Sequence, residues 1–320
     1  MSRYISRRLM SGFITVLIVF AINFIIMNAA PGDPIKTIMG KESDDPVLRA
    51  ALEEKYGLDK PLPTQFVVYL KNSFTGDLGT SMIYNRPVTQ MIGEKLGPTI
   101  LLVLTAGLLS LIVGTIMGII AARKEGSIID TIFSGVSYVL NSVPSFWLGL
   151  MLIILFASRS KLLPTYGMTD PRITYTGIDY IIDVVKHMIL PVGTLLLIEI
   201  PMYFRISKSS VLQVTNEDFI TTFRATGMSE RKIFNKYIFR NAILPTITMF
   251  GISMAYLITG VSLIETVFAW PGTGRLVLTA ITQRDYPTLM GMYLIMSISV
   301  ALVMIIVDIV YAVLDPRIRY

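Results

Sequence analysis

Residues 215–245 read TNEDFITTFRATGMSERKIFNKYIFRNAILP, the longest polar run in the second half of a 320-residue chain, with apolar segments on both sides. Thr215 and Asp218 have the spacing of a capping box, which predicts a short helix starting near Asn216. Phe219, Ile220 and Phe223 then fall on one face of that helix. Gly227 suits the left-handed residue that ends it. Ser229 is placed to cap a second helix carrying Arg231, Lys232, Lys236 and Arg240. The stretch therefore combines an apolar face, a glycine stop and a basic return. Two uses fit it: an amphipathic loop lying on lipid headgroups, or a docking element for a soluble partner that covers the three apolar side chains.

The flanks decide between a soluble and a membrane chain. Hydrophobic residues make up 53% of the sequence and charged residues only 16%, against about 25% charged in soluble domains. With no Cys there are no disulfides and no thiolate chemistry. A single His removes most metal sites and Ser–His machinery. The net charge of +6 is carried by basic residues clustered at the ends of apolar segments. That is a topology signal and not a nucleic-acid groove reader.

Arg3, Arg7 and Arg8 precede an apolar run from Leu9 to Met27. The run exceeds the roughly 7–15 residues of a secretory signal core, so it is expected to be retained as a first span with its start in the cytoplasm. Asn23 inside it predicts a helix–helix hydrogen bond. From Pro31-Gly32-Asp33-Pro34 to Pro98 the chain is polar with nearly balanced charges. Helices are expected at Pro46 to Tyr56 and Thr64 to Asn72, with turns at Gly57–Pro61 and Gly76–Gly79. This length of chain predicts a small external cap. Five further spans are expected: Thr99 to Ala122, Ile128 to Ala157 with a break at Pro144, Met188 to Phe204, Ile243 to Ile264 opened by Pro245, and Leu289 to Leu314. Positive-inside bookkeeping places both termini and the 215–245 stretch in the cytoplasm.

Three ionisable residues lie in or near the apolar runs: Glu199, Asp308 and His187. Asp308 is expected to pair with a base near the end of its span, and His187 to sit at the interface. Glu199, bracketed by Pro191 and Pro201, is the candidate for a translocation path, with Met202, Ser253 and Tyr256 as its companions. Trp147 and Trp270 read as packing or interface residues. Gly272-Thr273-Gly274 is followed by no lysine and is not a phosphate loop.

The 215–245 stretch also resembles the coupling loop of ABC-importer permeases, whose pattern is Glu-Ala-Ala, three residues, Gly, nine residues, Ile-x-Leu-Pro. The glycine falls on Gly227 and the triplet on Thr221, Thr222 and Phe223, so the triplet is not kept. Strict spacing puts Leu-Pro at Phe239-Arg240, whereas this chain has Leu244-Pro245. The shifted form is similar to the oligopeptide/dipeptide/nickel branch. GLDKP at 57–61, GDLGTS at 76–81, ETVFAWPGTGRL at 265–276, RDYP at 284–287 and LDPRIRY at 314–320 resemble the same branch, so the likeness covers essentially the whole chain.

That resemblance implies an all-α permease of the type I importer fold in the cell membrane. Residues 1–98 would be the first span and extracytoplasmic cap, and 99–320 a five-helix core with a coupling loop at 207–241. It implies no catalysis and no cofactor in this chain. ATP and Mg would belong to two cytoplasmic ATPase partners. A second homologous permease subunit in a heterodimer, an extracytoplasmic binding protein and membrane lipid complete the partners, with no nucleic acid. Glu217, Phe219, Ile220, Thr222, Phe223, Arg224, Ala225, Gly227 and Met228 would contact an ATPase. Peptides are the expected cargo, with nickel or another chelated solute as the alternative. A stand-alone channel or secondary transporter would not need the docking helix, and no inverted hydropathy repeat is visible. An intramembrane enzyme lacks the residues for it.

Overall fold

A computed structural model describes residues 2–30, 32–39 and 45–314. In chain order the helices are α1 (Ser2–Ala29), α2 (Pro34–Met39), α3 (Pro46–Tyr56), α4 (Leu62–Phe74), α5 (Val88–Arg123), α6 (Ile128–Ser142), α7 (Ser145–Leu152), α8 (Ile178–Thr215), α9 (Asp218–Ala225), α10 (Glu230–Ile233), α11 (Phe239–Gly260), α12 (Ser262–Val267), α13 (Thr273–Gln283) and α14 (Tyr286–Leu314). π-Helical turns lie at Ile153–Arg159 and Phe234–Ile238. Among the described residues the strand-like pairing is limited to one bridge, Thr80 with Pro87.

Among the described residues four helical stretches are long and apolar enough to cross a bilayer: Arg8–Ala29, Val88–Arg123, Ile178–Thr215 and Tyr286–Val307. A fifth results if α6 and Ser145–Arg159, bent by 104°, form one broken span. The break sits where Pro144 was expected to place it. Proline pushes the residue before it out of the helical region, and Val143 is extended at φ −87°, ψ 128°. α11 is a 22-residue helix, but it is not among the stretches that pass by length and hydropathy.

Several expected boundaries move. α5 starts at Val88 and carries Pro98 inside it. α8 runs for 38 residues, far beyond the expected Met188 to Phe204, with Pro191 and Pro201 in its interior. The prolines bend or locally weaken the backbone ladder without ending it, because neighbouring helices hold the segment. Hydropathy marks only the apolar part of such a helix, so its polar ends read as loop. Pro245 likewise lies inside α11 and does not open it.

Backbone contacts divide the chain into two units: residues up to Thr99 with Pro271–Ile305, and Ile100–Trp270 with the helix from Ile306 onward. In the first unit α4 lies on α1, with the Phe66 ring 5.8 Å from Phe20 and 5.4 Å from Phe24. Phe20, Phe24, Met27, Met82, Tyr286 and Met290 form its main core. Asp285, buried, ties this unit together. It accepts from the Ser81 hydroxyl, from the Met82 N–H at 3.0 Å and from the Thr288 hydroxyl at 2.8 Å. Nearby, Thr273 N–H donates to Thr99 Oγ1 at 2.8 Å. A buried carboxylate is tolerated when its oxygens are so occupied.

In the second unit α5 meets α8 at Gly114 and Gly118, a small-xxx-small pair that lets backbones approach. A Cβ at Gly114 would lie 3.0 Å from the Ile200 carbonyl oxygen, and one at Gly118 2.6 Å from the Phe204 carbonyl oxygen. α8 also joins α11 through Ser207 and Thr246, whose hydroxyls are 3.1 Å apart, and joins α6 through Lys208 and Asp130.

Gly118→Val should therefore force α5 off α8 and destabilise the unit by about 1–3 kcal/mol. The check is the melting temperature of the detergent-purified protein. Gly97→Ala, where a Cβ meets nothing within 4 Å, serves as the control. Equal melting of Gly118→Val and parent would refute the close-contact account.

Candidate functional site

The segment from Glu217 to Ile238 is held as a compact corner between α8 and α11. The first helix begins at Asp218 and not near Asn216, and the expected capping box does not form. Thr215 is still inside α8, where its hydroxyl donates to the Val211 carbonyl at 2.7 Å. Thr215 is thereby satisfied by the preceding turn, a common alternative for threonine in a helix. Glu217 takes the N-cap position with no side-chain bond, and Asp218 puts a negative charge in the first turn of α9, which suits the helix dipole. Ser229 occupies the N-cap position of α10, again without a side-chain bond.

The glycine stop is as read. Gly227 has φ +77°, a conformation in which a Cβ is strained. The Gly227 and Met228 amides close α9 by donating to the Arg224 carbonyl at 3.0 Å and the Phe223 carbonyl at 3.2 Å. No atom lies within 4 Å of a Cβ built at Gly227, so the constraint there is the backbone angle alone.

The apolar face differs from expectation. Ile220 is fully buried, in a cluster with Ala122, Val211, Ile233, Ile238 and Ala242. Phe223 is partly buried, its ring 4.2 Å from Tyr237. Only Phe219 of the three stays exposed, its ring 6.0 Å from Phe223 and edge-on to it. The return helix supplies its own apolar side chains at turn spacing, and these close over α9. Sequence reading gave the return helix a basic face and missed that inner one. Met228 is half-buried against the same cluster, whereas Glu217, Thr222, Ala225 and Gly227 are exposed.

Arg224 does not stand free for a partner. Its Nε donates to Glu230 Oε1 at 2.7 Å across the Gly227 turn. That hydrogen bond holds the Glu230 carboxyl below its ordinary range. Both groups face solvent, and such a pair contributes at most about 1 kcal/mol. Arg123, at the end of α5, lies 4.7 Å above the Phe234 ring, a cation–π contact that pins the return arm.

The candidates for a path lie on α8 and α11. Glu199 is half-buried and Ser253 buried. The Ser253 hydroxyl is 3.8 Å from Met202 Sδ. The side chain of Tyr256 lies outside the described residues, as does that of Asp308. Ser253 and Met202 are thus brought together, and Tyr203 beside them is fully buried. His187 is buried within the protein. Its Nδ1 lies 2.8 Å from the Asp183 carbonyl oxygen, and Asp183 Oδ2 accepts from the Asp170 N–H at 2.8 Å. Among the described residues no cluster of His, Cys, Asp and Glu could hold a metal. Trp270 is fully buried and Trp147 half-exposed.

Two family models divide nearly the whole sequence between them: "binding-protein-dependent transport system inner membrane component" matches residues 114–320, and the N-terminal model of the same components matches 1–103. The chain belongs to this family of inner membrane transport components. It is 36% identical over 321 residues to the oligopeptide transport system permease protein AppB of Bacillus subtilis (strain 168), covering all of both chains. The dipeptide transport system permease protein DppB of Alkalihalophilus pseudofirmus is 35% identical over 335 residues, again with full coverage of both. DppB of Escherichia coli K12 is 34% identical over 337 residues, covering 100% of this chain and 99% of the relative. Among solved structures, an inward-facing form of the MetNI methionine ABC transporter aligns with a TM-score of 0.56 at 14% identity, covering 71% of this chain and 97% of that one. That likeness shows a shared importer fold. The family therefore makes this chain a non-catalytic, multi-pass component of an inner-membrane transport system, and the all-helical architecture agrees with it.

Ile220→Ala should loosen the corner, because removing a fully buried aliphatic side chain costs about 2–5 kcal/mol. Hydrogen exchange at residues 217–238 should then rise while exchange within α5 stays as in the parent. Unchanged protection at 217–238 would show that the Ile220 cluster does not hold the loop.

Proposed function

We propose that this permease forms half of the membrane channel of an ATP-driven peptide importer. The full-length relatives named for oligopeptide and dipeptide transport support peptides as the cargo over nickel or another chelated solute. In this reading an extracytoplasmic binding protein delivers the peptide. A second, homologous permease completes a heterodimer, and two cytoplasmic ATPases carry the ATP and Mg. The chain crosses the membrane six times with both ends in the cytoplasm. Residues 1–98 supply the first span and an extracytoplasmic cap, and 99–320 the core with its coupling loop at 207–241.

One observation carries the coupling role: α9 offers a single exposed aromatic, Phe219, on a base made rigid by buried Ile220 and closed by Gly227. An isolated aromatic on a firm support is what an interface anchor requires. Glu217, Thr222 and Arg224 form the polar surround, with the small Ala225 beside them, that seats it in a groove of the ATPase. Phe223 and Met228 sit below, as backing. When the ATPases close on ATP, they push on this corner. α8 and α11, which leave it in opposite chain directions, shift between two arrangements. Glu199, Met202, Ser253 and Tyr256 line the path that those helices open. Glu199 faces the interior, because a lipid-facing carboxylate costs several kcal/mol.

Phe219→Ala should reduce the ATPase that copurifies, by about tenfold in affinity or more for an anchor residue. Gly227→Val, strained by about 1–3 kcal/mol, should keep the spans folded but uncouple ATP hydrolysis from peptide uptake. If both variants assemble and transport like the parent, the corner is only a surface loop. Topology is tested separately by placing single cysteines at Asp59 and Ser229 in this cysteine-free chain. Reagents that do not cross the membrane should label them from opposite sides. Labelling from one side would sink the six-span arrangement.

A further inference from the structure

Between α6 and α8 lies a cavity of about 230 Å³ lined by Ser134, Ser137, Tyr138, Arg205, Lys208 and Ser209 among others. Its polar groups are unevenly matched. Lys208 Nζ contacts Asp130 Oδ1 and reaches Ser134 Oγ at 3.4 Å, so its charge is answered. Among the described residues Arg205 reaches the neutral side-chain oxygen of Asn141, at 3.4 Å, and no carboxylate, so the cavity carries one cation in excess there. Ser137 is 2% exposed, and its hydroxyl has no hydrogen-bond partner among the described residues. A buried hydroxyl without a partner costs about 1–3 kcal/mol. A ligand able to accept a hydrogen bond from it would remove that cost. One excess positive charge with hydroxyl donors around it matches a singly charged oxyanion.

The surroundings select the source of that anion. Tyr138 of α6, which lines the cavity, is exposed at its mouth, and Phe204 and Leu212 of α8 give the lining an apolar part. Arg205 and Lys208 stand where the apolar part of α8 gives way to its polar end, which is the level of headgroups. Basic pockets between membrane helices on the cytoplasmic side recognise anionic lipid headgroups. We propose that this cavity holds the phosphodiester of an anionic phospholipid, of the phosphatidylglycerol kind, with its acyl chains leaving past exposed Tyr138. Arg205 pairs with the phosphate, and Ser137 donates to one of its oxygens. Lipid bound there braces α6 against α8 on the same helix that leads into the coupling corner. The proposal rests on the reading above only in putting this end of α8 at the cytoplasmic leaflet. The assay reads lipid binding without transport, so the two can fail separately.

The test uses the whole transporter complex in neutral detergent, mixed with micelles carrying dioleoyl phosphatidylglycerol or dioleoyl phosphatidylcholine, with bound lipid counted by native mass spectrometry. The parent should retain about fivefold more of the anionic lipid, the effect of roughly one basic contact. Arg205→Gln should abolish that preference, Arg205→Lys should keep most of it, and Ser137→Ala should weaken it. Arg240→Gln, outside the cavity, should leave it unchanged and controls for general charge loss. Added inorganic phosphate should not displace the lipid. Equal retention by Arg205→Gln and parent overturns the proposal. So does displacement by inorganic phosphate, which would make this a free-anion site, or by a dipeptide, which would place it on the substrate path.

Discussion

The close approach of α5 and α8 is the contact on which the second unit depends. At Gly118 the two backbones leave no room for a methyl group. Contact at that distance rests on dispersion between main-chain atoms, which in lipid has to replace the hydrophobic effect as the source of helix association. α8 carries Glu199 and Met202 midway and feeds the 217–238 corner at its end. Any displacement of the corner is thus transmitted to a helix that cannot slide freely on its neighbour. Ser207 with Thr246, and Lys208 with Asp130, fix α8 to α11 and α6 by polar contacts of known register.

The corner itself is stiff for a different reason. Its core is an aliphatic cluster drawn from α5, α8, α9, the return arm and α11. A loop that packs on itself in this way has already lost much of its conformational freedom. What it presents outward is small: one phenyl ring and a polar surround.

How much of this was legible depended on whether the deciding signal was local. α3 runs from Pro46 to Tyr56 as read, because its signals are adjacent: proline opens it and Gly57 closes it at φ +67°. Gly227 and the break at Pro144 were legible for the same reason. The length of α8 was not, because its polar ends carry no apolar mark and its prolines look like stops. Burial of Ile220 was hidden because it depends on Ile233 and Ile238 turning toward it after the chain reverses. The pairing of Lys208 with Asp130, 78 residues apart, and the lone hydroxyl of Ser137 have no trace in periodicity at all. Glu199 was singled out by its bracketing prolines, and of the companions named with it the geometry brings Ser253 to Met202.

The π-helical turn at Phe234–Ile238 joins the return arm to α11 without a gap. A π-turn accommodates one more residue than the α-helix it interrupts. Each residue of an α-helix turns the chain by about 100°. The extra residue therefore sets the angular phase between the arm and the span: with it, Ile233 points inward at Ile220 while the helix beyond it keeps its own packing face. Loss of one residue from this stretch would straighten it into ordinary α-helix and rotate the whole arm by about a quarter turn or more. The aliphatic cluster would then face water and the basic side chains the core. Single-residue insertions and deletions, usually tolerated where a chain turns at a surface, are excluded here by phase rather than by space.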